Sequence, residues 1–197
     1  MQESFRDYMM AQAGITAEQW ELIVSLIQEK TVPKGTILLR QGDICSEVYF
    51  VTTGLLRSYT VDDSGKEHIL QFSAENWWIA DRNSFYYGEP SLFFVDVIED
   101  ARITILDHDF ETRIQEIAPS YTRFNTRALH NAIRFMQRRI NLLLSAGAEE
   151  RYLDFISLYP NVTLRVPQWM IASYLGITPE SLSRVRRELA RRNFKPH

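Results

Sequence analysis

The chain is poor in the residues that would cross-link or metallate it. Among 197 residues there is one cysteine, Cys45, so neither a disulfide framework nor an all-cysteine iron–sulfur site can be assembled within one chain. Long apolar runs are missing as well. Nothing approaches the roughly 20 residues that span a bilayer, and the opening MQESFRDYMM is charged, without the apolar centre of a signal peptide. The expected setting is the cytoplasm, with no membrane partner. Positive charge is scarce at first: residues 1–119 hold nine Lys/Arg against twenty Asp/Glu, a net of −11, whereas residues 120–197 hold thirteen against five, a net of +8. A basic C-terminal part gathers near DNA by counterion release, and an acidic remainder is held off the phosphates. A solvated basic helix face is the plainer alternative on charge alone.

The length and the 45 % hydrophobic content suit one large domain and one small one. Near the N-terminus Ile15, Trp20, Ile23, Val24 and Ile27 recur at near-helical spacing, with Thr16 placed as an N-cap; this predicts one or two short helices. From Thr31 to about Asp107 the pattern becomes short runs, TILLR, EVYFVT, LLRSYTV, EHILQFS, LFFVDVI and ARITIL. Turn signals at Lys34-Gly35, Gly42-Asp43, Gly54 and Asp62-Asp63-Ser64-Gly65 divide them, predicting a β-sandwich, roll or barrel. Beyond Asp109 a helical pattern runs for about 35 residues. In it Leu129, Ile133, Met136, Ile140 and Leu143 step by four and three, while Tyr121, Phe124, Ala128 and Phe135 form a second stripe. Two stripes on one helix need two partners, here the β domain and the same helix of a second copy, unless the helix is simply buried in its own monomer. Shorter helices follow, so the fold class is α+β.

The stretch PQWMIASYLGITPESLSRVRRELARR has the pattern of a helix-turn-helix. Pro167 suits a helix start, and Ala172 lies four residues before Gly176, where a small side chain allows close crossing. Gly176 can end the first helix at positive φ, and Ile177 is expected beneath the turn. Thr178 can then cap a second helix whose Leu182, Val185 and Leu189 face inward. Its outward face carries Glu180, Ser181, Ser183, Arg184, Arg187 and Arg191. Arginine can donate two hydrogen bonds to guanine, a carboxylate can accept from cytosine N4, and serine serves base or phosphate. Glu180 and Arg184, four apart, are expected to hold each other. Packing alone is the alternative role of such a hairpin.

With these motifs in view, nearly the whole chain resembles the Crp/Fnr regulators through VPKGTILLRQGD, VYFVTTGLLRSY, ERYLDFI and ITPESLSRVRREL. The resemblance implies a cyclic-nucleotide-binding-like β-roll (a jelly-roll-like double-stranded β-helix) over residues 1–110. A dimerisation helix over 111–146 and a winged helix-turn-helix over 147–197 would follow. By the family's recognition pattern, Glu180, Ser183 and Arg184 would contact bases. Gln168, Thr178, Ser181, Arg187 and Arg191 would lie near phosphates, and Leu129, Ile133, Met136, Ile140 and Leu143 would form the dimer interface. Double-stranded DNA, a second copy and, as for an activator, RNA polymerase are the implied partners, and no cofactor is implied. Pro179 stands where the family often has a polar residue, which removes one contact. The wing after Phe194 is expected to be shortened or missing.

The resemblance also marks a departure. Nucleotide-binding members clamp the cyclic phosphate with a Gly-Glu and a following arginine, because an anionic diester needs a fixed guanidinium. This chain has Ile79-Ala80-Asp81 and Ser91-Leu92 there, so an effector, if there is one, is not expected to be cyclic AMP. Phe72, Trp77, Trp78, Arg82 and Phe93 are candidates for an apolar effector pocket, the alternative being that the aromatics fill a lost site. Haem held by His68 or His108, and oxidation sensing by Cys45, are further options. A cupin-like metal enzyme would need two closely spaced histidines, a glutamate and a later histidine, and the β region offers only His68 and His108 with Glu67; a protein-binding adaptor is a third reading.

Overall fold

The structure, a computed structural model, describes residues 4–193. The chain forms two compact units: residues up to Val61 with Leu70–Asn131, and Asp62–Ile69 with the residues from Ala132 onward.

The first unit opens with two capped helices, α1 (Phe5–Ala13) and α2 (Ala17–Ile23). Thr16 caps α2 by accepting from the Gln19 amide, and Gln19 returns the contact to the Thr16 amide, so two otherwise unpaired donors are satisfied at once. Ser4 and Asp7 repeat the device on α1.

Six antiparallel strands follow: β1 (Gln28–Val32), β2 (Ile37–Leu39), β3 (Val48–Val61), β4 (Glu67–Ser73), β5 (Trp78–Ile79) and β6 (Phe94–Leu106). They run in the order β1-β6-β3-β4, with β2 on β6 and β5 on β3. Two pairs of expected strands are each one long strand. EVYFVT and LLRSYTV join through Gly54, which makes a bulge and not a turn: the β3–β6 register shifts on both sides of it, and its φ is +93°. A Cβ there would stand 2.6 Å from the Asp100 carbonyl oxygen, so only glycine lets the strands approach this closely. LFFVDVI and ARITIL merge likewise into β6.

Between β5 and β6 lies α3 (Arg82–Tyr87), and after β6 come α4 (His108–Ile117) and α5 (Ser120–Ser145). The helical stretch beyond Asp109 is thus interrupted. Ala118 precedes Pro119 and takes φ −134°, since a proline disfavours helical geometry in the residue before it. On α5, Tyr121 and Phe124 are buried, and an aromatic cluster of Phe5, Tyr8, Phe50, Trp78 and Phe124 sits in the unit's core with centroids 4.7–6.4 Å apart.

The second unit contains α6 (Ala148–Leu158), α7 (Gln168–Leu175) and α8 (Pro179–Asn193). Its core is Tyr152, Phe155, Tyr159, Ile171, Tyr174, Leu182 and Val185, with the Phe155, Tyr159 and Tyr174 rings 5.2–5.7 Å apart. Residues 62–69 belong to this unit through Ser173, whose hydroxyl donates to the Glu67 carbonyl at 3.1 Å and accepts from the Ile69 amide at 3.0 Å. No helix among the described residues is long and apolar enough to cross a membrane.

Candidate nucleic-acid interface

Helix α7 ends at Gly176, whose φ of +63° is the left-handed conformation that closes a helix. The Ile177 amide then bonds back to the Ala172 carbonyl at 3.0 Å. Ala172 is buried and Ile177 half-buried. Thr178 Oγ1 accepts from the Ser181 amide at 3.2 Å and caps α8. Leu182 and Val185 point inward, while Leu189 is only half-buried.

The remaining face of α8 stays open. Glu180, Ser183, Arg184, Arg187 and Arg191 are exposed and Ser181 half-buried, and Gln168 is exposed at the start of α7. The Glu180 carboxyl is held below its ordinary pKa by its own backbone N–H and then by the Thr178 hydroxyl, so it is an acceptor at neutral pH. The expected Glu180–Arg184 pair does not form. Arg184 reaches back to Ser181 Oγ at 3.5 Å, because Glu180 is drawn to the donors of its own helix terminus. Arg192, absent from the expected contact face, pairs with Glu149 at 2.6 Å.

On α5, Leu129, Ile133, Met136, Ile140 and Leu143 are 36–61 % exposed. A stripe of five apolar side chains open to water at a/d spacing is an unsatisfied seam. Leu144, 83 % exposed, extends it and was not in the expected set, since it falls off the strict repeat. The proposed wing beyond Phe194 lies outside the described residues.

In the first unit the expected effector residues have separate fates. Phe72 is fully buried, Trp78 is packed into the aromatic cluster and donates to Tyr8 Oη at 3.2 Å, Phe93 packs against the core, and Trp77 is half-buried. Arg82 alone of the five lines an open recess, of about 650 Å³. Where the resemblance implies a phosphate clamp, the structure has an anion of its own. Asp81, 5 % exposed, accepts from the Ser84 amide at 3.1 Å, the Ser91 hydroxyl at 2.8 Å and the Leu92 amide at 3.4 Å. Arg57, a buried guanidinium within β3, is committed to Asp96 through two hydrogen bonds of 2.8 and 2.9 Å.

His68 pairs with Asp62 at 2.7 Å, whereas His108 stacks on Phe85 with centroids 3.9 Å apart. Among the described residues no three His, Cys, Asp or Glu stand together as metal ligands. Cys45 is 2 % exposed and burial pushes its thiol pKa up, which disfavours the reactive thiolate.

The fold and this face define a β-roll joined to a helix-turn-helix. Residues 29–115 match the cyclic nucleotide-binding domain family. The chain is 26 % identical over 169 residues to the anaerobic regulatory protein of Aggregatibacter actinomycetemcomitans, covering 80 % of this chain and 65 % of that protein. It is also 26 % identical over 172 residues to the fumarate and nitrate reduction regulatory protein of Vibrio cholerae, covering 80 % and 67 %. The solved structure of FixK2 from Bradyrhizobium japonicum superposes with a TM-score of 0.72 at 20 % identity, over 87 % of this chain and 88 % of that one. The chain thus spans about two thirds of the length of its curated relatives or slightly less. Residues 29–115 thus carry a cyclic nucleotide-binding domain, and the likeness to named regulatory proteins supports the resemblance to the Crp/Fnr regulators.

Proposed function

We propose that the chain is a sequence-specific, DNA-binding transcription regulator, not an enzyme, acting as a homodimer on a palindromic operator. The observation that carries this is α8: its apolar face is buried on α6 and α7, and its other face presents a carboxylate, hydroxyls and guanidinium groups on the basic part of the chain. Relatives named as regulatory proteins support the same reading.

In this reading Glu180, Ser183 and Arg184 read base edges, and Gln168, Thr178, Ser181, Arg187 and Arg191 contact phosphates and set the register. The seam from Leu129 to Leu143 pairs with that of a second copy, placing two recognition helices on half-sites about one helical turn apart. Residues 1–110 act as the sensor, 111–146 as the dimerisation segment and 147–197 as the DNA reader, with RNA polymerase as protein partner and the cytoplasm as location. The sensor does not take a cyclic nucleotide, because Asp81 already holds the donors a phosphate would need and a buried carboxylate repels a diester. Selecting genomic fragments bound by the full chain tests the proposal: a shared inverted repeat is the expected result, and salt-insensitive or sequence-independent retention would overturn it.

A further inference from the structure

One cavity in the first unit is left without a role by the aromatic core. It is a recess of about 650 Å³ walled by α3, α4 and α5, within the size range of small-molecule sites. Its lining sets charged and amide groups within a largely apolar surface. Helix α3 contributes Arg82 and Tyr86, α4 contributes Glu111 and Gln115, and α5 contributes Asn125, with Leu129 as the apolar wall.

The two charges in this recess are not spent on each other. Arg82 makes one hydrogen bond, to Tyr86 Oη at 3.0 Å, and lies 5.1 Å from the centre of that ring. A guanidinium has five N–H donors in a planar fork, and Tyr86 takes one of them, on Nη2, so most of its donor capacity is unused among the described residues. Glu111 is half-buried, and its side chain accepts one long hydrogen bond, 3.3 Å from Tyr121 Oη. Burial pushes its pKa up against the pull of Arg82, Tyr121 and His108, the behaviour of a carboxylate short of a cationic partner. Gln115 binds the Glu111 carbonyl through its amide nitrogen at 3.0 Å, which leaves its amide oxygen free to accept.

We infer that this recess binds a small zwitterion of the α-amino-acid class, its carboxylate on the Arg82 fork and its ammonium on Glu111. A simple dicarboxylate or phosphate would meet Glu111 as a like charge, and an apolar molecule would strand both charges away from water. A molecule carrying both signs satisfies the two walls together. The amides of Gln115 and Asn125 favour a polar side chain on that amino acid. As a statement about regulation this rests on the DNA-binding reading. As a statement about binding it does not, and the experiment measures binding alone.

The test is calorimetric titration of the full chain, without DNA, against each of the common L-α-amino acids. For any that bind, the matching amine without carboxylate and the matching acid without amine are titrated too. The expected result is one bound amino acid per chain, with a loss of about tenfold or more in affinity when either charge is removed from the ligand. Arg82→Gln and Glu111→Gln should each cause a loss of similar size, and Arg82→Lys should restore only part, since it lacks the fork. The ligand analogues are read on the unaltered protein, so the outcome survives a variant that fails to fold. Binding of no amino acid, or equal binding of an analogue lacking one charge, would overturn the assignment.

Discussion

In the first unit two strongly polar groups on and beside the sheet are turned inward and consumed: Arg57 locks onto Asp96 across β3 and β6, and Asp81 gathers the donors of Ser84, Ser91 and Leu92. In the second unit the polar groups along one face of α8 are turned outward. On α8 five arginines accompany two glutamates over residues 179–193, and Arg184, Arg187 and Arg191 are exposed. A satisfied buried polar group fixes a fold, because removing one partner strands the other in low dielectric. An exposed one contributes little to stability and remains available to a ligand. The comparison therefore separates residues whose loss should unfold the protein from residues whose loss should only blind it.

The sharpest contrast is expected in the β unit. Phe50→Ala empties the centre of the aromatic cluster, where Phe50 is fully buried, and should cost about 3–5 kcal/mol in urea unfolding. A loss below about 1 kcal/mol would show that the cluster is not the centre of the core.

Next in size is the seam on α5. Ile133→Glu or Ile140→Glu should convert a dimer to monomers in sedimentation, with little loss of fold, because both side chains are more than half exposed and a charge cannot be buried unpaired at a helix seam. An unaltered dimer would remove this part of the proposal.

For Glu180→Ala and Arg184→Ala the expected result is a loss of specific DNA affinity on the order of tenfold to a hundredfold, with relaxed base preference. The unfolding midpoint should stay near the parent value, and an unfolding shift as large as that of Phe50→Ala would break the comparison between the units. Thr178→Ala should cost about 1 kcal/mol of stability through the lost α8 cap, with Thr178→Ser largely restoring it. The smallest effects belong to Arg187→Ala and Arg191→Ala. Each should weaken binding to all sequences alike and reduce the salt slope by about one, and a sequence-dependent loss would move that residue to the base-reading set.

Much of this was legible without coordinates. The helical hairpin is governed by local chemistry: Gly176 at positive φ, Thr178 as a cap, and Leu182 and Val185 at helical spacing are short-range requirements written in adjacent residues. The seam on α5 was readable for the same reason. Local reading failed where a residue has two uses. Gly54 carries the same signal as a turn, and only its closeness to Asp100 across the sheet makes it a bulge. Glu180 and Arg184 have the spacing of a pair, yet the helix terminus and Thr178 take Glu180 first.

The sequence by itself determined the acidic and basic halves, the α+β class and the helical hairpin, since each depends on composition or on neighbours within a few residues. Tertiary structure decided the fate of the residues expected to line an effector pocket. Trp78 is apolar and could line a pocket or fill a core, and which occurs depends on whether Phe5, Phe50 and Phe124, distant in sequence, close over it. It also brought Arg82, Glu111 and Asn125 to one recess from three helices, a juxtaposition no spacing along the chain reveals, because it is made by packing between elements and not by the period of any one of them.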